Sequence, residues 1–333
     1  MKPFVKWAGG KTQLLDQLKI RIPKVFNEYY EPFVGGGALL FDLKPDKANI
    51  NDINEQLINV YKQIKRDPDT VINEIQNIES VQCDKEYYLS IRDRYNNKIK
   101  ENILDAETAS LMIWLNKHCF NGLYRVNSKG LFNVPYNNNK KANSISIENL
   151  LEVHNYLQDV NITCNDFATI CNDVKENDFV YIDSPYIPES ITANFTSYTK
   201  DGFTMEDHKR LADVYKELSD KGVYVMLSNN DVELVYELYK GFNIENDGIQ
   251  SICAERVAFT KALSEGNHEF VCVAVVGKPL TQESFNKTLP CGYCRQFLSE
   301  YASKEFMIYT YDDIEDKLYS YKLEDLLPES FSL

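Results

Sequence analysis

Apolar residues recur at helical spacing over residues 12–20, and a short extended run over 29–34 stops at three glycines, Gly35, Gly36 and Gly37. Residues 38–43 then open a helix, 48–52 pattern as a second strand ending in Asp52, and 56–64 return to helix. Strand, glycine turn, helix, strand is the repeating unit of a doubly wound parallel sheet. Residues from about 70 to 120 pattern mostly as helix. The polar and aromatic run 120–136 has the Asn and Gly content of a hairpin or loop, and 137–141 reads as a solvated connector. Alternation then resumes with strands at 160–164 and 178–183, a helix at 205–218, a strand at 222–228 and a helix at 231–239. Further on come a helix at 253–263, a buried strand at 269–276, a helix at 291–302 and a strand at 305–311. Periodicity leaves open whether these later strands join the first sheet or form their own.

A chain of 333 residues with 44% apolar residues is long enough for one large domain plus an appendage. It shows neither a long apolar span nor a signal sequence, so the expectation is a cytoplasmic protein without membrane contact. Its eight cysteines then read as reduced thiols, with any close cluster a metal candidate. The net charge of −14 argues against non-specific coating of nucleic acid, which needs an excess of Lys and Arg. Distribution changes that picture. Residues 108–147 contain no Asp or Glu but carry Lys117, Arg125, Lys129, Lys140 and Lys141, a local basic face in an acidic chain.

Glycines between a strand and a helix admit a ligand close to the backbone, and an acid ending the next strand can accept from ribose hydroxyls. Phe33, Gly35 and Gly37 with Asp52 fit that pattern, although an ordinary glycine turn beside a strand-end acid has the same sequence. Asp183-Ser184-Pro185-Tyr186 directly follows the apolar strand Phe179-Val180-Tyr181-Ile182. A carboxylate and a backbone carbonyl there can accept both protons of an exocyclic amine. Tyr186 can stack on a base extruded from the duplex.

Six segments together resemble the Dam-like DNA adenine-N6 methyltransferases over residues 1–243. They are Lys6-Trp7-Ala8-Gly9-Gly10-Lys11, Glu31-Pro32-Phe33-Val34-Gly35-Gly36-Gly37-Ala38, Asn51-Asp52-Ile53-Asn54, residues 120–127, Phe132-Asn133-Val134-Pro135-Tyr136 and Tyr224-Val225-Met226-Leu227-Ser228-Asn229. The resemblance implies a Rossmann-like sheet with an inserted DNA-recognition region at about residues 70–147, and double-stranded DNA as partner. It implies that Trp7, Lys11, Asp52, Asp166 and Asp183 contact S-adenosylmethionine, with Asp183, Ser184, Pro185 and Tyr186 receiving the target base. GATC is the implied site. The resemblance implies that Arg125, Asn127, Lys129, Asn133, Pro135 and Lys140 lie at the DNA, and the basic window falls on the same region, with Arg125 suited to a bidentate guanine contact. The family's loop is Asp-Pro-Pro-Tyr, and Ser184 stands here for the first proline. Ser keeps the carbonyl but loses the fixed φ that proline would supply.

A second set of residues lies downstream. Cys253-Ala254-Glu255 followed by Pro290-Cys291-Gly292-Tyr293-Cys294 offers three thiolates to a zinc ion, a fourth position to water, and a glutamate to move that water's proton. From Gly241 onward the chain resembles small homo-oligomeric cytidine deaminases. That resemblance implies zinc on Cys253, Cys291 and Cys294, catalysis by Glu255, cytidine or deoxycytidine bound through Asn243 and Glu245, and oligomerisation through this segment. The family's opening helix and strand hairpin are absent, so the match is to a partial α/β segment. Both resemblances pass through Gly241-Phe242-Asn243-Ile244, which divides the chain into a methyltransferase domain, 1–240, and a deaminase-like zinc segment, 241–333. The leading expectation is an adenine-N6 methyltransferase fused to a deaminase fragment. A zinc-dependent cytidine deaminase on a carrier domain, and a catalytically idle DNA-binding module, are the alternatives.

Overall fold

The computed structural model describes residues 1–138, 144–187, 202–245, 254–264, 266–267, 269–277 and 284–327, so Lys140 and Cys253 lie outside the described residues. The chain divides into two compact units, Met1–Glu245 and Asn246–Leu333. No helix among the described residues is long and apolar enough to cross a membrane.

The first unit is built on five parallel strands, β1 (Tyr29–Glu31), β2 (Ala48–Asn51), β3 (Val160–Thr163), β4 (Phe179–Ile182) and β5 (Tyr224–Leu227), in the order β3-β2-β1-β4-β5. Every residue of β1 and β4 is buried, as expected where helices cover both faces of a parallel sheet. The strand order reverses between β1 and β4, and the crevice beyond their carboxyl ends is where such sheets bind ligands.

After β2 come four helices in succession, Glu55–Arg66, Pro68–Glu79, Lys85–Lys100 and Ala106–His118. Each begins on a side chain that accepts a backbone N–H: Asn54, Asp67, Asp84 and Asp105 respectively. The last of them is buried from Thr108 through Asn116, with Trp114 stacked on His118 and Tyr88. This helix is the spine against which the others pack. After it the chain forms the expected hairpin-like loop, closed by antiparallel bridges Cys119–Tyr136 and Val126–Phe132. Helices Ile147–Leu157 and Phe167–Cys171, which apolar spacing did not single out, lead into and out of β3.

The second unit has its own sheet, which answers the question periodicity left open. Here β6 (Cys272–Ala274) runs parallel to β7 (Met307–Asp312), which pairs antiparallel with β8 (Lys317–Lys322), a strand the sequence pattern did not reveal. Helices Ala254–Ser264 and Gly292–Tyr301 contribute Phe259 and Leu298 to a small core with Phe306, Ile308 and Leu323. The strand expected to be buried over 269–276 is instead short, with Val271 81% and Val276 55% exposed. Among the described residues β6 pairs on one side only.

Candidate active site

The glycine loop after β1 is shaped by three contacts. Asp52 accepts from the Gly35 amide at 3.1 Å and from the Asn54 amide at 2.9 Å, and Tyr61 donates its hydroxyl to the Gly35 carbonyl at 3.0 Å. Gly37 sits at φ +69°, and a Cβ there would lie 2.6 Å from the Tyr61 hydroxyl, so glycine is required by both conformation and space. Burial pushes the Asp52 carboxyl up to about 6, against the lowering effect of its amide donors.

The loop forms one wall of a cavity of about 1160 Å³ at the switch point. Trp7, Lys11, Phe33, Gly35, Gly37 and Asp52 line it together with Asp183, Ser184, Pro185 and Tyr186. The structure thus brings together ten of the predicted site residues. Lys11 Nζ lies 2.6 Å from Asp183 Oδ1, donates to the Gly9 carbonyl at 2.6 Å, and sits 4.8 Å from the Tyr186 ring centroid. Burial raises the Asp183 carboxyl above the usual range, partly offset by Lys11. Burial works to lower the Lys11 ammonium, but Asp183 and Tyr186 outweigh it and the net direction is up. The far end of the loop is fixed: Asn229 Oδ1 accepts from the Ile187 amide at 2.9 Å and Asn230 donates to the Ile187 carbonyl at 2.8 Å. Ser184 is buried, and its Oγ has no hydrogen-bond partner among the described residues.

Asp166 does not line this cavity. Its carboxylate receives a two-pronged contact from Arg210, 2.7 Å at each oxygen, and accepts the Ala168 amide at 2.9 Å. The Arg210 guanidinium holds the Asp166 carboxyl below the usual carboxylate range and lies 4.3 Å from the Phe167 ring centroid. Phe167 in turn stacks on Phe33, whose edge meets Phe203. Asp166 therefore reaches the cavity through this aromatic group. Sequence reasoning missed Arg210 and also Glu31, a cavity-lining carboxyl that burial raises well above the ordinary range and that accepts from the Tyr29 hydroxyl at 2.8 Å. An acid ending a wholly buried strand was the available signal for Glu31. Nothing local marked Arg210.

The hairpin loop is tied to the cavity by Asn116, which donates to the carbonyls of Lys6 and Gly122 and accepts from the Lys6 amide. Trp7 stacks on Tyr124 at 5.3 Å between centroids. Arg125 is exposed and donates through Nε to Asn133 Oδ1 at 2.9 Å, which aligns its guanidinium along the hairpin. Asn127 acts within the loop itself, where its side-chain oxygen accepts the Lys129 and Leu131 amides and shapes the turn. Pro135 accepts the Phe120 amide through its carbonyl.

In the second unit Cys291 and Cys294 are reduced thiols with sulfurs 3.5 Å apart. Two Zn–S bonds of ~2.3 Å at a tetrahedral angle place sulfurs roughly 3.8 Å apart, so the pair suits one ion. Glu255 is buried in the helix Ala254–Ser264. No group of three His, Cys, Asp or Glu is poised for a metal among the described residues, which do not include Cys253. Asn243 and Glu245 fall in the first unit, where Asn243 donates to Glu245 and Glu245 takes Arg21 Nε at 2.7 Å.

The family model for D12 class N6 adenine-specific DNA methyltransferases matches residues 7–250. A second, the cytidine and deoxycytidylate deaminase zinc-binding region, matches residues 217–310. The Type II methyltransferase M1.LlaDCHI of Lactococcus lactis subsp. cremoris is 42% identical over 279 residues, 83% of this chain and 96% of that protein. The Type II methyltransferase M.MjaIII of Methanocaldococcus jannaschii is 44% identical over 261 residues, covering 74% and 90% respectively. A DNA adenine methylase of Vibrio cholerae is 35% identical over 243 residues, covering 72% and 85%. A cytidine deaminase crystal structure from Burkholderia pseudomallei shares 30% identity over 27% of this chain and 68% of that one, with a TM-score of 0.21 that adds nothing to the argument. With the glycine loop and the Asp183 loop facing one cavity, and a family model covering most of its length, the chain belongs to the D12 class N6 adenine-specific DNA methyltransferases.

Proposed function

We propose that the protein methylates adenine N6 within GATC in double-stranded DNA, with Asp183, Ser184, Pro185 and Tyr186 as the target-base loop. The observation that carries this reading is that Asp183 and Tyr186 line the same cavity as Gly35 and Asp52. The cofactor implied by the family, S-adenosylmethionine, supplies an electrophilic methyl group when bound. The residues present fit it. Trp7 and Phe33 offer apolar walls, Asp52 retains lone pairs for ribose hydroxyls beyond its two amide donors, and Lys11 offers a buried cation for a carboxylate.

Asp183 and the Ser184 carbonyl accept the two amine protons and orient the nitrogen lone pair. Tyr186 presents a ring face for the base. Because Lys11 already occupies Asp183 Oδ1 and stands over that face, it must yield ground before the base is seated. A carboxyl raised by burial is suited to hold the proton the amine loses. Arg125 is assigned to a base edge and Lys129 to phosphate. Transfer of labelled methyl to a GATC duplex, set against duplexes with permuted sites and against D183A, tests the proposal. Undiminished transfer by D183A, or equal transfer to every adenine context, removes the corresponding part.

The sulfur pair at 3.5 Å favours a second, independent reading: Cys253, Cys291 and Cys294 would hold zinc, which would activate a water, and Glu255 would move that water's proton. The sequence lacks the deaminase family's opening helix and strand hairpin, which would help wall the pyrimidine, and the reading is therefore zinc binding with little cytidine turnover. Zinc content and ammonia release from cytidine are the measurements.

A further inference from the structure

Ser184 carries a hydroxyl that the target-base loop does not need for the carbonyl contact. The residue is 3% exposed, it lines the cavity beside Asp183, and its Oγ is shielded without a hydrogen-bond partner among the described residues. An unpaired buried hydroxyl is a standing cost that a proline or alanine would avoid. Such a group is accounted for when a ligand or a trapped water completes it.

The chemistry of the adenine edge says what is still missing. Its N6 amine offers two protons, and both proposed partners, the Asp183 carboxylate and the Ser184 carbonyl, are acceptors. Adjacent N1 is an acceptor and neither partner can serve it. A serine hydroxyl rotates among three staggered χ1 wells and brings a donor. We propose that Ser184 Oγ–H donates to N1 of the extruded adenine, so that one residue reads the base with its carbonyl and its hydroxyl. This rests on the assignment of the Asp183 loop to the target base.

The test is a cycle of single-turnover rates for wild type and S184A on duplexes bearing adenine or 1-deazaadenine at the target. The latter keeps the amine and lacks N1. On adenine, S184A is expected to be slower by roughly threefold to tenfold, the size of one neutral hydrogen bond, with cofactor affinity unchanged. On 1-deazaadenine the two enzymes should have equal rates. Effects of the analogue on duplex opening are common to both enzymes and cancel. S184P, which also lacks the hydroxyl, should lose the same sensitivity to N1 whatever its absolute rate. An S184A rate equal to wild type on adenine assigns the hydroxyl to water and overturns the proposal. An equal loss on both substrates makes Ser184 a shaper of the loop and also overturns it. If D183A is undiminished, the base-loop assignment itself has failed, and the two failures are thereby distinguished.

Discussion

Asp52 allows a pH prediction with a definite sign. Its carboxyl is pushed up to about 6 because burial outweighs the amide donors of Asn54 and Gly35. With the folded value above the unfolded 3.8, the folded state favours the protonated acid. The associated stability is fully present below about 4 and is lost as pH rises through about 6. Cofactor binding runs the other way, since ribose hydroxyls donate best to the ionised carboxylate. The ionised fraction falls from about nine-tenths at pH 7 to about one-tenth at pH 5, so cofactor affinity should drop roughly tenfold over that interval. Asp52→Asn should bind more weakly at pH 7 and show no such dependence. Equilibrium dialysis or calorimetry with S-adenosylmethionine or its demethylated product reads this directly. The window stays below pH 7 because an α-amino group titrates near 7.7–8.0. A flat profile for wild type, or an Asp52→Asn profile that tracks wild type, refutes the assignment of Asp52 to the ribose.

Gly37→Ala forces a side chain into left-handed backbone at φ +69° and within 2.6 Å of the Tyr61 hydroxyl; it should lower stability by roughly 1–3 kcal/mol in urea unfolding and weaken cofactor binding. Arg125→Ala should erode discrimination between GATC and single-substitution sites by roughly 1–3 kcal/mol; a uniform loss on every sequence would make Arg125 a phosphate contact. Purified protein should carry about one zinc per chain by atomic absorption, lost in Cys294→Ser while methylation persists. Metal-free wild type, or robust cytidine turnover abolished by Glu255→Ala, contradicts the zinc reading in opposite ways.

The parallel core was legible because strands buried on both faces are written as unbroken apolar runs, and the 179–182 run is one of these. The cavity was legible for a related reason. Its walls are strand ends, and strand ends carry the glycines and acids that sequence shows. What escaped was long-range pairing between polar side chains. Lys11 and Asp183 are 172 positions apart, Asn116 and Lys6 110, and Arg210 and Asp166 44, and no period connects them. β6 was misjudged because Phe270-Val271-Cys272-Val273-Ala274 has core composition. Its burial depends on neighbouring strands, and one side of it has none among the described residues.

The same dependence on packing decides the string that two families share. The methyltransferase match runs to residue 250 and the deaminase match begins at 217, so sequence assigns Gly241-Phe242-Asn243-Ile244 to both. The structure assigns it to one. Phe242 meets the Tyr215 ring edge-on at 4.8 Å, and Phe242 and Ile244 pack on the cluster of Ile187, Ala212, Val235 and Tyr239. Ile187 follows Asp183-Ser184-Pro185-Tyr186 directly, so the shared string packs on the cluster that anchors the far end of that loop. Glu245 closes the unit on Arg21. The partition of one short segment follows from which framework offers it buried apolar neighbours.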